Sequence, residues 1–342
     1  MKEGIKEKYN SIDLFKFLMA CCVIAIHTQP FFGCSNFLVK KVYDSIVNCA
    51  VPFFFMASGF LLAVKLKWPY SLKENEVILK KYLVRIMKMY ALWSLIYLPL
   101  AIFYYMRCKL TLFYSLRKYI FDFVFVGEHY NSWMLWYLLS TIYAILFILV
   151  LLKRNVSINL ITFLGLVILF FSFVIDEIVS VDNEALLPIL VIVQRIIKNT
   201  IVSGRILRGL FYIPCGMLIA RKKLPLVINS IIFSLFFVLR CTVQAGLINE
   251  LCTFMCSISL FQLVLSINLK DAKIYPILRK ISLSMYLVHM YIWTIYYSLI
   301  YHKKTYGFDC FIVTLVISVC VALVQYHISL SRRKKYIHSK SE

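Results

Sequence analysis

Apolar positions in this chain gather into long blocks, and polar positions into the gaps between them. Ten apolar runs stand out, at about 11–31, 44–64, 82–105, 133–152, 157–175, 206–220, 224–241, 249–268, 280–301 and 308–330, and the intervening stretches hold most of the charge. Crossing about 30 Å of hydrocarbon takes about 20 apolar residues of helix, and most of the runs approach that length. Lipid offers no hydrogen-bond partner to a backbone, so a crossing segment is either a helix or a strand of a closed barrel. The runs lack the two-residue alternation of barrel strands. The pattern therefore predicts an all-α fold, a polytopic transmembrane helical bundle of about ten spans. Segment 184–200 is apolar but short and is interrupted by Pro188, Arg195 and Lys198, so it is expected as an interfacial or re-entrant piece and not as a span. No internal repeat, low-complexity stretch or soluble module is visible. The expectation is one integral-membrane domain over 1–342, with short tails at 1–10 and 331–342.

Composition narrows the function classes. Of 342 residues, 62% are hydrophobic and 16% charged, where soluble chains average about 25% charged; a lone soluble enzyme is excluded. The net charge of +22 would suit nucleic acid, but no basic domain stands apart from the apolar blocks, and no nucleic-acid partner is expected. The charge reads instead as topology. Lys and Arg in the N-terminus, 65–88, 153–156, 221–223, 270–280 and the C-terminus total 24, against 13 in the alternate set of connections, and Lys16 completes the count. The positive-inside rule then places both termini in the cytoplasm. The charged start MKEGIKEKYN leads into an apolar stretch holding Asp13, Lys16 and His27 without a small-residue cleavage site, which reads as a retained first span. Eleven cysteines lie largely in or beside apolar runs, with no C-x-x-C pair, so they are read as small buried hydrophobes. No metal site is expected.

Chemistry must then sit among the spans, where an ionisable side chain costs about 2.5–3.5 kcal/mol to insert. Asp13, Lys16 and His27 all fall in the first run. Lys16 and His27 are eleven residues apart, close to three turns, so they share a helix face and stand about 16 Å apart along its axis. Asp13 lies three residues before Lys16, where the two charges can partly neutralise each other; equally, Asp13 can cap the helix start and Lys16 snorkel to the headgroups. His27 precedes Thr28, Gln29 and Pro30, where the helix must end or kink. In the second run, Pro52 is expected to free a backbone carbonyl and Ser58-Gly59 to admit a close neighbouring helix. Trp133, Trp136 and Tyr137 resemble an interfacial aromatic belt. In the ninth run Ser282, Tyr286 and His289 fall on one helical face.

Taken together and in this order, Ile12-Asp13-Leu-Phe-Lys16 with His27 eleven residues on, Val51 to Gly59 (VPFFFMASG), Trp133-Met-Leu-Trp136-Tyr137, Arg208 to Gly216 (RGLFYIPCG) and Ser284-Met-Tyr286-Leu-Val-His289 resemble the acyltransferase-3 family of bacterial integral-membrane acyltransferases. The resemblance covers nearly the whole chain. It implies transfer of an acyl group, acetyl in the first instance, from cytoplasmic acyl-CoA to a hydroxyl of an extracytoplasmic acceptor such as a cell-envelope glycan or a small molecule. Acyl-CoA would be a co-substrate, with no bound cofactor, and the chain would lie multi-pass in a bacterial plasma membrane. The family's first-span motif is an arginine, ten residues, then a histidine; the resemblance implies His27 as the catalytic residue and puts Lys16, supported by Asp13, at the arginine's donor-binding position. Lysine keeps the charge but loses the planar fork that suits phosphate. Ser58, Trp136, Arg208, Tyr286 and His289 are expected to line the cavity. VIAIH (23–27) and VPFFFMASG also resemble the membrane domain of vancomycin-resistance serine racemases, which supplies an alternative, transport of a serine-like amino acid. A structural or sensor role is the third class.

Overall fold

The computed structural model describes residues 8–180, 205–243, 246–301 and 306–338; segment 184–200, expected as an interfacial piece, lies outside them. In chain order the helices are α1 (Asn10–Thr28), α2 (Phe37–Val47), α3 (Ala50–Ala63), α4 (Lys73–Arg107), α5 (Leu112–Phe121), α6 (Trp136–Lys153), α7 (Ile158–Ser180), α8 (Arg208–Ile219), α9 (Leu226–Thr242), α10 (Leu247–Leu265), α11 (Ile274–Tyr296) and α12 (Phe308–His338). Short π turns follow α5 and α11, and a 3₁₀ turn opens α6. Among the described residues the regular structure is all helical, and each of the ten apolar runs is found in helix. Six helical stretches there are long and apolar enough to cross a membrane: 10–28, 37–63, 73–107, 133–153, 247–265 and 308–332. Three shorter apolar helices lie at 158–174, 208–219 and 226–242.

The run at 44–64 is divided. Asn36 caps α2 by accepting the Val39 N–H at 3.1 Å, α2 stops at Val47, and α3 restarts at Ala50. Pro52 is thus the third residue of α3 and not an interior one. Its missing N–H falls in the first turn, where a helix has no internal partner for it, so the carbonyl expected to be freed inside a span is not. Helix α4 starts at Lys73, nine residues before its apolar run. Its 35 residues reach about 52 Å at 1.5 Å per residue, longer than about 30 Å of hydrocarbon, and the first turns carry Glu74, Glu76 and Lys80 ahead of the apolar run. At the other end of the chain α12 continues to His338, through most of the segment expected as a tail.

The chain divides into two compact units, one of Met1–Phe53, Leu224–Thr242 and Met255–Glu342 and the other of Phe54–Lys223 and Val243–Phe254. In the first, α1 packs on α2, α11 and α12, α2 on α9, and α11 on α12. Helix α1 is tied at both ends. Near its start, the Asn10 side-chain amide donates to Asp271 at 2.8 Å and Lys8 pairs with Asp271 at 2.7 Å. Near its end, the Gly307 N–H donates to the Thr28 carbonyl at 3.1 Å and the Tyr43 hydroxyl to the Ala25 carbonyl at 2.7 Å. Gln29 closes the helix at φ 43°, its N–H on the Ala25 carbonyl, and Pro30 prevents continuation.

In the second unit, α6 packs on α4, α7 and α8, and α7 on α8. Helices α3 and α8 meet backbone to backbone. A Cβ on Gly59 would lie 2.0 Å from the Ile213 carbonyl oxygen, and one on Gly216 would lie 2.2 Å from that of Met56. Because 59 faces 213 and 56 faces 216, the helices run antiparallel at the contact. The close approach expected at Ser58-Gly59 is therefore real, and its partner is the RGLFYIPCG helix. Ser140 on α6 secures the start of α8, donating to the Ile206 carbonyl at 2.7 Å and accepting from the Gly209 N–H at 3.1 Å.

Candidate active site

Five of the residues singled out in the sequence, Asp13, Lys16, His27, Tyr286 and His289, belong to the first unit, on α1 and α11. His27 lies in the last turn of α1. Its ring centroid is 5.3 Å from that of His289, with the planes inclined by 33°, so two ionisable side chains from distant parts of the chain meet in an apolar bundle. Helix α11 turns Ser282, Tyr286 and His289 inward, at 2%, 3% and 0% exposure, which bears out the shared face read from their spacing. The Tyr286 and His289 rings are 6.1 Å apart.

The orientation of His289 is set by its own helix. Its Nδ1 lies 2.8 Å from the Tyr286 carbonyl oxygen and 3.3 Å from that of Met285. Carbonyls only accept, so Nδ1 carries the proton and Nε2 keeps the lone pair. Nε2 is buried and has no hydrogen-bond partner among the described residues.

At the other end of α1, Asp13 is buried in the first turn, where a carboxylate suits the positive end of the helix dipole. It pairs with Arg279 of α11 at 3.6 Å and also feels the Lys16 charge. Arg279 was not singled out in the sequence, where 270–280 reads as a charged connection; because α11 starts at Ile274, this residue sits on the helix and opposite α1. The α1–α11 pair thus carries charged groups near one end and two imidazoles near the other. Next to the imidazole end, a cleft of about 420 Å³ in the same unit is lined by Gln29, Phe31, Phe32, Lys40, Asp44 and Asn48, among others.

Ser58, Trp136 and Arg208 belong to the second unit. The Ser58 and Tyr137 hydroxyls are 3.0 Å apart, and Tyr137 also donates to the Phe54 carbonyl at 3.3 Å. Trp136 lies against Phe55, with centroids 6.0 Å apart. Arg208 pairs with Glu250 at 3.5 Å and lies over the Phe173 ring, so its charge is met by a carboxylate within the unit. In the 107–132 connection, which reads in sequence only as topological charge, the structure adds a polar cluster. His129 is buried and stacked on Tyr119, with centroids 4.0 Å apart and planes within 5°. Its Nδ1 is 3.9 Å from Asp122, which Lys118 holds at 2.8 Å. Burial, with the Lys118 charge adding, pushes His129 down to about 4. Burial raises Asp122, against the opposing pull of Lys118.

Residues 9–326 match the family model described as an acyltransferase domain. The chain belongs to the acyltransferase-3 family. With its apolar helices, this makes it a multi-pass membrane protein. Within the match, α1 contributes His27 and Lys16, and α11 contributes His289. Two proteins of Enterococcus faecalis, each named amino-acid racemase, are similar over part of the chain. One is 34% identical over 150 residues, 44% of this chain and 20% of that protein. The other is 32% identical over 152 residues, 40% of this chain and 19% of that protein. The similarity thus spans about a fifth of these relatives' own length. No solved structure matches the chain.

Proposed function

We propose that this acyltransferase-3 protein moves an acyl group, acetyl in the first instance, from cytoplasmic acyl-CoA to a hydroxyl of an extracytoplasmic acceptor such as a cell-envelope glycan. It would act in a bacterial plasma membrane with both termini in the cytoplasm, the side favoured by the 24-to-13 bias of basic residues. The observation that carries the reading is the family match over 9–326 together with the position of His27, on a helix tied at both ends, with its ring 5.3 Å from that of the buried His289. His27 is the general base, a role worth about 10²–10⁴ in rate. As the acceptor oxygen attacks the thioester carbonyl carbon, His27 takes the hydroxyl proton. The C–S bond then breaks, and the leaving sulfur recovers that proton as a thiol. Lys16, about three turns toward the cytoplasmic end of the same helix, meets the phosphate or pantetheine end of the donor, with Asp13 and Arg279 holding the surrounding charge. The test is thiol release from acyl-CoA by the purified protein in lipid, with hydroxyl acceptors offered on the opposite face. His27→Ala should abolish release while leaving the protein inserted; full-rate release by that variant would sink the base assignment.

A second reading is favoured by the partial similarity to proteins named amino-acid racemase: membrane passage of a serine-like amino acid. Uptake into vesicles that contain the protein but no acyl-CoA, unaffected by His27→Ala, would support it over acyl transfer.

A further inference from the structure

Helix α2 opens a stretch, 37–63, that is long and apolar enough to cross a membrane, yet it carries charged side chains, which are costly there and call for a function. At 3.6 residues per turn, Lys40, Asp44 and Asn48 follow one stripe of the helix, Leu38, Val42 and Ile46 follow another, and Tyr43 and Val47 fall between the two. Two spaces in the first unit follow these stripes. The cleft of about 420 Å³ beside the last turn of α1 takes Lys40, Asp44 and Asn48, with Gln29 and the exposed Phe32. A groove of about 590 Å³ takes Leu38, Val42 and Ile46, with Phe308 and Phe311 of α12, and its lining is almost wholly apolar. Phe31, Tyr43 and Val47 line both, so the two spaces adjoin. Their border is held in place. The Phe31 and Tyr43 rings meet edge to face with centroids 5.2 Å apart, and the Tyr43 hydroxyl donates to the Ala25 carbonyl.

We infer that the acceptor is a lipid, whose hydroxyl-bearing head group lies in the cleft while its own hydrocarbon chain lies in the groove. The inference rests on the proposed acyl transfer, for which it names the acceptor class. The cleft suits a polyhydroxyl head such as a sugar: the Asp44 carboxylate accepts from hydroxyls, the Lys40 ammonium donates to them, and the Gln29 and Asn48 amides can do both. Ile26 and Gln29, which bracket His27 in the chain, line the cleft, so a head held there has its hydroxyls beside the last turn of α1. A water-soluble acceptor would leave the apolar groove without a use, and a bulk phospholipid would leave the polar stripe without one. Lipid tails are as apolar as the side chains of the groove, so the chain gains little by moving from one to the other. What the groove supplies is orientation: a chain seated in it sets the head over the cleft and removes part of the entropy cost of bringing the hydroxyl to the reaction.

The experiment places the full-length protein in phosphatidylcholine vesicles with one of two probes that carry the same diazirine in the hydrocarbon chain, a dodecyl glucoside or a phosphatidylcholine, and maps the photoadducts by peptide mass spectrometry. Below saturation the glucoside probe should label 38–46 and 308–311, and excess unlabelled dodecyl glucoside should abolish that labelling. Asp44→Ala should cut it about tenfold, the scale of one hydrogen bond to a charged group, without changing the labelling by the phosphatidylcholine probe. No labelling of these segments, or equal labelling by both probes that dodecyl glucoside does not displace, would overturn the inference, since the groove would then hold bulk lipid only. Thiol release from acyl-CoA reads the acceptor role separately. Wild type should prefer dodecyl over methyl glucoside as acceptor, and Val42→Trp, which fills the groove, should lose that preference although both glucosides partition into the bilayer as before. A preference that survives Val42→Trp would overturn the groove as the acceptor's seat. Photolabelling needs no acyl-CoA, so the two readings fail apart: labelling without release counts against acyl transfer, and release without labelling counts against the lipid acceptor.

Discussion

The contact between α3 and α8 offers the sharpest test of how this bundle is assembled. Gly59→Ala places a methyl carbon 2.0 Å from the Ile213 carbonyl oxygen, 1.4 Å short of an ordinary 3.4 Å contact, and Gly216→Ala places one 2.2 Å from the Met56 oxygen, 1.2 Å short. Both obstacles are backbone atoms of a helix, so no side-chain rotation relieves them and the helices must part by roughly the shortfall. Overpacking of this kind costs about 1–3 kcal/mol per site, offset by about 1 kcal/mol of helix propensity gained from Gly to Ala. Each single variant should therefore lose up to about 2 kcal/mol. The two sites face each other across one antiparallel crossing, so a separation that admits one methyl nearly admits the other. The double variant should lose little more than the worse single variant, a coupling of about 1 kcal/mol or more between sites that touch. Reversible unfolding in mixed micelles with rising denaturing detergent, followed by circular dichroism, gives the four free energies of the cycle. Gly33→Ala, where a Cβ meets nothing within 4 Å, serves as the control. Wild-type stability in either single variant, or strict additivity in the double, would refute the packing argument.

Other consequences can be checked separately. Lys16→Ala should raise the acyl-CoA KM with a smaller effect on kcat, and Lys16→Arg, which restores the bidentate fork suited to phosphate, should lower KM below wild type; an unchanged KM in both would remove Lys16 from donor binding. His129 stands at about 4 in the fold against 6.5 for the free side chain, so as pH falls through 6.5 the unfolded chain takes up the proton first and stability is lost down to about pH 4. That window is worth about 2–3 kcal/mol. Asp122 is shifted the opposite way, its raised carboxyl favouring the fold less as pH rises, so His129→Phe isolates the histidine. Between pH 7 and 4.5 the variant should lose less stability than wild type, and equal losses would contradict the burial argument.

Much of the candidate site was legible because the lipid environment penalises polar residues. In a chain where an ionisable group inside an apolar run is expensive, Asp13, Lys16, His27 and His289 stand out without any knowledge of their neighbours, and the eleven-residue spacing already aligns Lys16 with His27. Gly59 was legible for the same kind of reason, since a Ser-Gly pair amid phenylalanines makes sense where backbones touch. Arg279 and His129 were not. Their segments are rich in charge, and a charged residue in a charged segment carries no signal until the structure shows what it faces. The division of the second run at Asn48-Cys49 was equally hidden, because both halves are apolar and hydropathy does not register a two-residue interruption of the helix.

The sequence by itself determined that this chain is helical and lives in a membrane, because block length and the need to satisfy every backbone hydrogen bond in lipid leave no other solution. It also determined which side chains are costly enough to need a function. Only the tertiary structure decided which of those meet. His27 and His289 are separated by most of the chain, and nothing in their spacing says that their rings come within 5.3 Å. That depends on α1 packing along α11 with both ends of α1 tied. Hydrophobicity acts on each segment independently and is read one segment at a time, whereas helix pairing inside lipid depends on close packing and specific hydrogen bonds between segments, which only the folded chain displays.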